Sequence, residues 1–327
     1  MTSAGEASGD VFASIRAACA EVTRRARFVE IDSDGLSSFA DRLAAEAWPE
    51  ESLDPAHHFQ GEAAETLAFV IALDAINFGS GWFPRLRKRA GLSGYRTIAT
   101  GLKEHVEASG APTGEKLRRA TDAEMARVFG QSLNDPEVAE LMNLFARAWR
   151  DLGEWLGRIH EDRFELLIER CEGRAARLVS ALAEMPLYRD VADYEGISVP
   201  FYKRAQITAV DLSLAFEGEG FGRFADLDSL TLFADNLVPH VLRCEGVLRY
   251  ADDLAAAIDD EQLLETGSAE ETEIRAVAVT AVERLTEALA DRGRPTTAHA
   301  LDGLLWNAGQ SPGIKARPRH RARNTFY

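Results

Sequence analysis

Apolar residues recur at three- and four-residue spacing along most of the chain, which is the period of helices that bury one face. The run from 137 to 167 shows this best, with one continuous stripe: Val138, Leu141, Leu144, Phe145, Ala148, Leu152, Trp155, Leu156 and Ile159. Such a stripe packs into a core, so we assign no function to Trp149 or Trp155. Because Ala, Leu, Glu and Arg also dominate the composition, the pattern predicts a mainly α fold.

Two capping-box patterns mark helix starts, Thr121 with Glu124 and Ser268 with Glu271. In this pattern the hydroxyl accepts a hydrogen bond from the backbone N–H three residues later. We therefore expect one helix to begin directly after Thr121 and another directly after Ser268.

Strand signals are weak and linkers are short. Residues 26–32 and 95–100 alternate between apolar and polar over a few positions, which predicts at most a small β-hairpin. The breaks between helical segments contain no long low-complexity linker, and no internal repeat is visible. Residues 1–327 are expected to form a single large helical domain, or two packed lobes with a boundary near 186–200.

The segment 57–83 is predicted to be a helix with a glycine-rich exit. It carries polar and aromatic side chains that share one face or follow in the exit: Asp74, Asn77, Phe78, Ser80 and Trp82. Polar groups beside aromatic rings suit a flat nitrogenous ligand. Taken alone, the segment is more typical of a helix end with a polar cap and a core Phe.

Asp235 is an acid among apolar residues, between Phe233 and Ala234 on one side and the run LVPHVL on the other. A carboxylate in such surroundings loses water and is tolerated when it is partnered or functional. The alternative is that Asp235 caps a helix that starts at Asn236, with Pro239 in its first turn. The sequence favours neither interpretation over the other.

Lys203 and Arg204 follow the stiff approach Pro-Phe-Tyr. Most basic pairs are simply solvated. Lys203 is nevertheless one of only five lysines among 37 basic residues, which suggests a reason for lysine at this position.

Size and composition are typical of a soluble globular protein, with 327 residues and 46% hydrophobic content. The longest apolar stretch, at 67–73, is far short of the roughly 20 residues that span a bilayer. The first ten residues carry acids where a secretory signal has cations, so we expect a cytoplasmic protein with no membrane partner. Three distant cysteines, Cys19, Cys171 and Cys244, are expected to be reduced.

A net charge of -16 opposes binding to polymeric nucleic acid, whose phosphates attract Lys and Arg. The one strongly basic run, 315–323, precedes a closing Phe-Tyr pair. Such runs are usually disordered tails. The closing aromatic residues favour a tail that docks on the body and brings His320 or Arg321 near a site.

Common catalytic motifs are absent from the sequence. GEGFG at 218–222 lacks the strand and downstream acid of a dinucleotide site, and GAPTGEK at 110–116 is not a phosphate loop. There is no HExxH, CxxC or GxSxG, so no metal or cofactor is expected. An acid in apolar surroundings, a basic pair and an aromatic pocket suit cleavage through a cationic transition state, for which an N-glycosidic bond is the natural example.

Long segments of the chain resemble the queuosine salvage family, the queuosine 5'-phosphate N-glycosylase/hydrolases. The resemblance covers most of the chain and is carried by these segments: LDAINFGSGWF (73–83), GYRTIAT (94–100), VPFYKRAQI (199–207), LTLFADNLVPHVL (230–242), EIRAVAV (273–279) and HRARNTFY (320–327). It implies a helical fold partly related to helix-hairpin-helix DNA glycosylases. The implied reaction is hydrolysis of queuosine 5'-monophosphate to queuine and ribose 5-phosphate. We also expect the protein to be a monomer.

The resemblance also implies roles for particular residues. Asp235 corresponds to the catalytic acid, which would stabilise the ribosyl cation and position water. Lys203 is the first choice for the 5'-phosphate and Arg321 the second. The remaining candidates for substrate binding, most of them expected near the deazaguanine and its cyclopentenediol arm, are His58, Asp74, Asn77, Phe78, Ser80, Trp82 and Phe233.

Two other functions remain open at this point. The first is a protein that binds or delivers the queuosine nucleotide without cleaving it, against which the intact Asp235 argues. The second is a DNA glycosylase, as the fold relation would suggest, and the net charge of -16 argues against it.

Overall fold

The computed structural model describes residues 10–327, and the fold is mainly α. The first ten residues, from which we expected no secretory signal, lie almost wholly outside this range. The helices are α1 (Val11–Arg25), α2 (Ser33–Ala45), α3 (Ala63–Asp74), α4 (Gly94–Ser109), α5 (Gly114–Arg118), α6 (Asp122–Val128), α7 (Pro136–Ile159), α8 (Phe164–Cys171), α9 (Ala175–Leu182), α10 (Lys203–Ala215), α11 (Val238–Cys244), α12 (Asp252–Asp259), α13 (Ala269–Asp291), α14 (Ala298–Ala308) and α15 (Pro312–Lys315). The strands are β1 (Val29–Ile31), β2 (Val191–Tyr194), β3 (Ile197–Pro200), β4 (Leu248–Tyr250), β5 (Leu263–Leu264) and β6 (Arg321–Ala322).

One connected set of buried apolar side chains runs through the molecule, from Phe12 to Leu305. Helix α13 lies at its centre and packs against α1, α2, α11 and α14, while α7 packs against α5 and α6 and α3 packs against α10. The possible lobe boundary at 186–200 is a short 3-10 turn followed by the β2–β3 hairpin, whose second strand packs on α1. These contacts confirm a single mainly helical domain, and the relation to helix-hairpin-helix glycosylases stays a prediction.

Each of the three described sheets has two strands. The strand predicted at 26–32 is present as β1, which pairs antiparallel with β4. The strand predicted at 95–100 is wrong, because Ser93 caps α4 by accepting from Arg96 N and these residues are helical. The hairpin is instead β2–β3, whose two turn residues Glu195 and Gly196 both have positive φ, as a type I′ turn requires.

Both predicted helix starts are confirmed. Thr121 Oγ1 accepts from Glu124 N at 3.2 Å before α6, and Ser268 Oγ accepts from Glu271 N at 3.2 Å before α13. Between residues 10 and 327 no helix combines the length and the apolar character needed to cross a bilayer.

The helix predicted over 57–83 is shorter at both ends, since α3 begins at Ala63 and stops at Asp74. The Arg204 side chain ends α3. Its Nη1 donates to the Ala75 carbonyl at 2.6 Å and to the Asp74 carbonyl at 3.3 Å. A longer helix would need these two carbonyls for its own backbone hydrogen bonds. Gly79 then adopts φ of 110°, and a Cβ on Gly81 would lie 2.4 Å from the Ala322 carbonyl oxygen. The glycine-rich exit therefore turns tightly beneath the last strand.

Candidate active site

A cavity of about 250 Å³ lies where α4, α10, α14 and the loop before α11 meet. Seven of the ten residues selected from the sequence line it: His58, Asn77, Phe78, Ser80, Lys203, Phe233 and Asp235. They come from three distant parts of the chain, so the fold brings them together.

Asp235 lies at the end of the loop that leads into α11 and is only 9% exposed. Its Oδ1 accepts from Leu237 N at 2.7 Å and from Val238 N at 2.9 Å, so it does bind the helix start, as the capping interpretation expected. The helix begins at Val238, two residues later than predicted. Asp235 also lines the cavity, and its Oδ2 has no hydrogen bond within residues 10–327. One oxygen thus fixes the side chain and the other is left for a ligand.

The loop that carries Asp235 is anchored on both sides of that residue. Arg275 Nε donates to the Ala234 carbonyl at 2.9 Å, and Asp302 Oδ1 accepts from Phe233 N at 3.1 Å. Asn236 Nδ2 donates to the His320 carbonyl at 3.2 Å. These contacts leave the loop little freedom to move Asp235.

Lys203 is the first residue of α10 and is 6% exposed. Tyr202 before it adopts the left-handed region at φ 48°, which turns the chain sharply into the helix. Lys203 Nζ donates to the Asn77 carbonyl at 3.3 Å. Burial lowers the pKa of Lys203, and the negative charge of Asp235, which lines the same cavity, raises it.

Lys203 and Arg204 are adjacent in sequence but have different roles. Arg204 is almost completely buried, and its guanidinium lies over the rings of Tyr188 and Phe78 at 4.2 and 4.9 Å. It also donates to the Leu187 carbonyl. Arg204 therefore holds the chain around α3, while Lys203 reaches the cavity.

A buried ion pair links the two sides of the site. Arg275 donates to Asp190 at 2.9 and 2.6 Å, and both side chains are about 98% buried. Asp190 Oδ2 also accepts from Lys203 N at 3.2 Å. The pair thus connects the start of α10 to the Ala234 carbonyl in the loop that carries Asp235.

Carboxyl groups gather around Lys203. Asp211 and Glu51 line the cavity, and Asp74 lies behind them, completely buried. Burial raises the pKa of Asp74 to about 7, although the charge of Lys203 lowers it. Burial and then the charge of Asp74 raise the pKa of Asp211 well above its usual range. Glu51 and Asp211 were not predicted, because single acids in a chain with 53 of them give no signal.

Three further cations line the cavity: Arg96, Lys315 and Arg319. Burial lowers the pKa of Lys315 and the charges of Arg96 and Arg319 lower it further, so the three lie near one another. Burial lowers the pKa of Arg319 and Asp235 opposes that shift. Among residues 10–327 none of the three has a carboxylate within ion-pair distance, although most arginines in the fold do. We call Arg96, Lys315 and Arg319 the cation group.

Three candidates selected from the sequence do not line the cavity. Asp74 is one layer below it. Trp82 is buried against α7 and donates to Glu140 Oε2 at 2.8 Å. Arg321, the first residue of β6, donates from Nη2 to the Glu261 carbonyl at 3.0 Å and does not line the cavity.

The basic tail is docked, as the closing Phe-Tyr pair suggested. Tyr327 is buried and lines the cavity, and its carbonyl oxygen accepts from Gly79 N at 2.9 Å and Ser80 N at 3.3 Å. His320 is also buried, with its ring against Tyr327. Burial lowers the pKa of His320 to about 3, so it is uncharged at neutral pH.

Aromatic rings provide flat walls. Phe83, Tyr95, Phe233 and Trp306 line the cavity, with Tyr95 and Trp306 edge to face at 6.0 Å. His58 Nδ1 lies 2.9 Å from the Asp54 carbonyl and Nε2 lies 3.0 Å from Tyr95 Oη. A neutral ring that donates from Nδ1 therefore accepts a hydrogen bond from the Tyr95 hydroxyl at Nε2.

Known proteins are similar to this chain over most of its length. The family model described as queuosine salvage protein matches residues 57–327. A protein from Sphaerobacter thermophilus named queuosine 5'-phosphate N-glycosylase/hydrolase is 37% identical over 94% of this chain and 95% of its own length. Proteins of the same name from Dictyostelium discoideum and Mus musculus are 31% and 28% identical, over 80% and 94% of this chain and 78% and 96% of their own lengths. This chain therefore belongs to the queuosine salvage protein family.

Proposed function

We propose that the protein hydrolyses the N-glycosidic bond of queuosine 5'-monophosphate and releases queuine and ribose 5-phosphate. The names of its relatives support this activity. The observation that carries the proposal is Asp235, a carboxylate with one oxygen free in an aromatic cavity and with cations and carboxyl groups around it.

Asp235 is the group that acts on the ribose. As the bond from C1' to the base breaks, positive charge develops on the sugar, and a fixed negative oxygen beside C1' lowers the energy of that state. Two N–H donors and the positive end of α11 stabilise the negative charge on Asp235 in the absence of substrate. The free Oδ2 also orients the water that attacks C1'.

The charges around Asp235 favour one orientation of the nucleotide. In the part of the chain that the structure describes, the cation group has no carboxylate within ion-pair distance. It suits the 5'-phosphate, which prefers several Arg and Lys donors. Lys203, chosen for the phosphate from the sequence, lies instead among Asp235, Asp74 and Asp302. We therefore assign the phosphate to Arg319, Lys315 and Arg96, and we place the base against the aromatic walls and carboxyl groups on the other side.

A binding or delivery protein is the alternative function. Incubation of the protein with queuosine 5'-monophosphate, followed by mass spectrometry for queuine and ribose 5-phosphate, separates the two. We expect catalytic turnover, with many product molecules per protein molecule. Tight binding of the nucleotide without release of queuine would support delivery and contradict hydrolysis.

A further inference from the structure

Asp302 is another acid that lines the cavity, and its partners differ from those of Asp235. It lies on α14, is 6% exposed and lines the same cavity. Its Oδ1 accepts from Phe233 N at 3.1 Å, two residues before Asp235, and within residues 10–327 its Oδ2 has no hydrogen bond. The two carboxyl groups are therefore held by neighbouring parts of one loop.

The surroundings of Asp302 favour the neutral acid. Burial raises the pKa of Asp302 well above its usual range, and the charges of Asp235 on the adjacent loop and of Glu51 raise it further. The Phe233 N–H and Lys203 on α10 oppose this shift. Two neighbouring carboxyl groups in unlike surroundings are the pattern of an acid and a charge stabiliser that work together.

We propose that Asp302 donates a proton to the departing base, and this rests on the hydrolysis proposed above. The base of queuosine is a deazaguanine, whose five-membered ring has carbon where guanine has N7. The ring nitrogen that accepts a proton when ordinary purines leave is thus missing. The remaining basic ring nitrogen near the glycosidic bond is N3, on the side of the ribose, where an acid beside Asp235 can reach it.

The proton and electron balance is complete without a cofactor. The C1'–N9 bond breaks and both electrons pass to the base, while the proton on Asp302 moves to N3. The water oxygen bonds to C1', and its proton passes by way of Asp235 to solvent. Asp302 then regains a proton from solvent, so one water has been added across one C–N bond.

The test compares Asp302→Asn and Asp302→Glu with the wild type on queuosine 5'-monophosphate. The amide in Asp302→Asn cannot give up a proton, so we expect kcat to fall by roughly 10²- to 10⁴-fold, the usual contribution of a general acid. The dissociation constant of queuine should change by less than about fivefold, because the proton transfer takes place in the transition state and not in the bound ground state. Asp302→Glu should restore part of kcat.

The pH profile is the readout that a structural role would not change. In the wild type kcat should fall on the alkaline side, as Asp302 loses its proton, and in Asp302→Asn this decline should disappear. A kcat for Asp302→Asn within about tenfold of the wild type, or an unchanged alkaline decline, would overturn the proposal. If the wild type itself releases no queuine, the proposed hydrolysis fails and not the role of Asp302 alone.

A substrate whose leaving group needs no proton gives a second comparison. The 4-nitrophenyl riboside 5-phosphate releases 4-nitrophenolate, so its hydrolysis should be nearly equal in Asp302→Asn and the wild type. An equal loss on this compound and on the queuosine nucleotide would show that Asp302 only shapes the cavity.

Discussion

At the scale of single residues, the carboxyl groups of the site differ in their hydrogen-bond partners and in their burial. Asp235 has two backbone N–H donors, Asp302 has one, and Asp74 is completely buried. Identical carboxyl groups can therefore serve as a charge, an acid and a buried support.

The phosphate assignment predicts which cations matter. Arg319→Ala and Lys315→Ala should each lower kcat/KM for the 5'-monophosphate by roughly tenfold to a hundredfold, since a hydrogen bond to a charged group contributes about 1.5–3 kcal/mol. The unphosphorylated nucleoside should be affected far less. Parallel kinetics with both substrates measure this selectivity.

Arg321→Ala is the matched control, because Arg321 belongs to the same segment but binds the Glu261 carbonyl outside the cavity. It should leave the preference for the phosphate unchanged. A selective loss in Lys203→Ala or Arg321→Ala, with none in Arg319→Ala and Lys315→Ala, would contradict the assignment.

The raised pKa of Asp74 predicts that the stability of the fold depends on pH. Its pKa is about 7 in the folded protein and near 3.8 in the unfolded chain, so between these values the folded state binds more protons. Stability contributed by this group therefore falls as pH rises from about 4 to 7. Asp74→Asn should remove the part of that fall that comes from Asp74 and gain, relative to the wild type, about 4 kcal/mol between pH 4 and pH 8.

Urea unfolding of the two proteins at several pH values measures the difference. Equal pH dependence in wild type and Asp74→Asn would show that Asp74 ionises in the folded state as in the unfolded chain.

At the residue scale the sequence allowed a partial prediction of the site. Asp235 and Lys203 were recognisable because unusual charges stand within apolar runs. Arg96, Lys315, Asp211 and Asp302 look like ordinary surface charges on amphipathic helices, and only the packing of separate helices places them in one cavity.

At the scale of elements, the Arg275–Asp190 pair joins α13, the β2–β3 approach, the start of α10 and the loop before α11. Asp190→Asn should lower the free energy of unfolding by about 3–5 kcal/mol, because Arg275 loses the charge of its buried partner. It should also lower kcat, since both Lys203 and Asp235 lose an anchor. Chemical denaturation and steady-state kinetics test the two effects.

Glu273→Gln is the control for this prediction, because Glu273 lies on α13 with Arg275 and is equally buried. It accepts from the backbone N–H groups of Arg27, Phe28 and Val29, away from the cavity. A similar loss of stability with kcat unchanged is expected. Equal losses of kcat in both variants would show that the Arg275–Asp190 pair acts through stability alone.

Element boundaries were predictable where a cap controls them and wrong where tertiary contacts do. Thr121 and Ser268 carry their own signals for α6 and α13. The end of α3 depends on Arg204, which is 130 residues away in sequence from Asp74. Residues 95–100 alternate like a strand, but Ser93 starts a helix there that buries Thr97, Ile98 and Ala99.

At the scale of the whole molecule, five of the segments that carry the family resemblance supply residues to the cavity wall. They lie within 73–83, 94–100, 199–207, 230–242 and 320–327, and 273–279 contributes Arg275 behind the wall. The mainly helical class followed from periodicity and composition. The arrangement of the segments did not, because it depends on contacts between residues hundreds of positions apart.

The docked tail is predicted to be part of the site. Removal of residues 324–327 should expose the Gly79 and Ser80 amides, which the Tyr327 carbonyl now covers, and should lower kcat/KM at least tenfold or so by opening the cavity wall. Hydrogen exchange at the two amides and steady-state kinetics report the effects. Phe326→Ala, at a partly exposed neighbour, should change neither; unchanged exchange after the deletion would contradict the role of the tail.

The most direct test of the central claim, that the Asp235 carboxylate stabilises positive charge on the ribose, is the single-turnover rate of queuine release from saturating queuosine 5'-monophosphate by Asp235→Asn. The account predicts a rate at least roughly 10²- to 10³-fold below the wild type with nucleotide affinity largely retained, because the lost interaction is made mainly in the transition state. A rate within about tenfold of the wild type would contradict it.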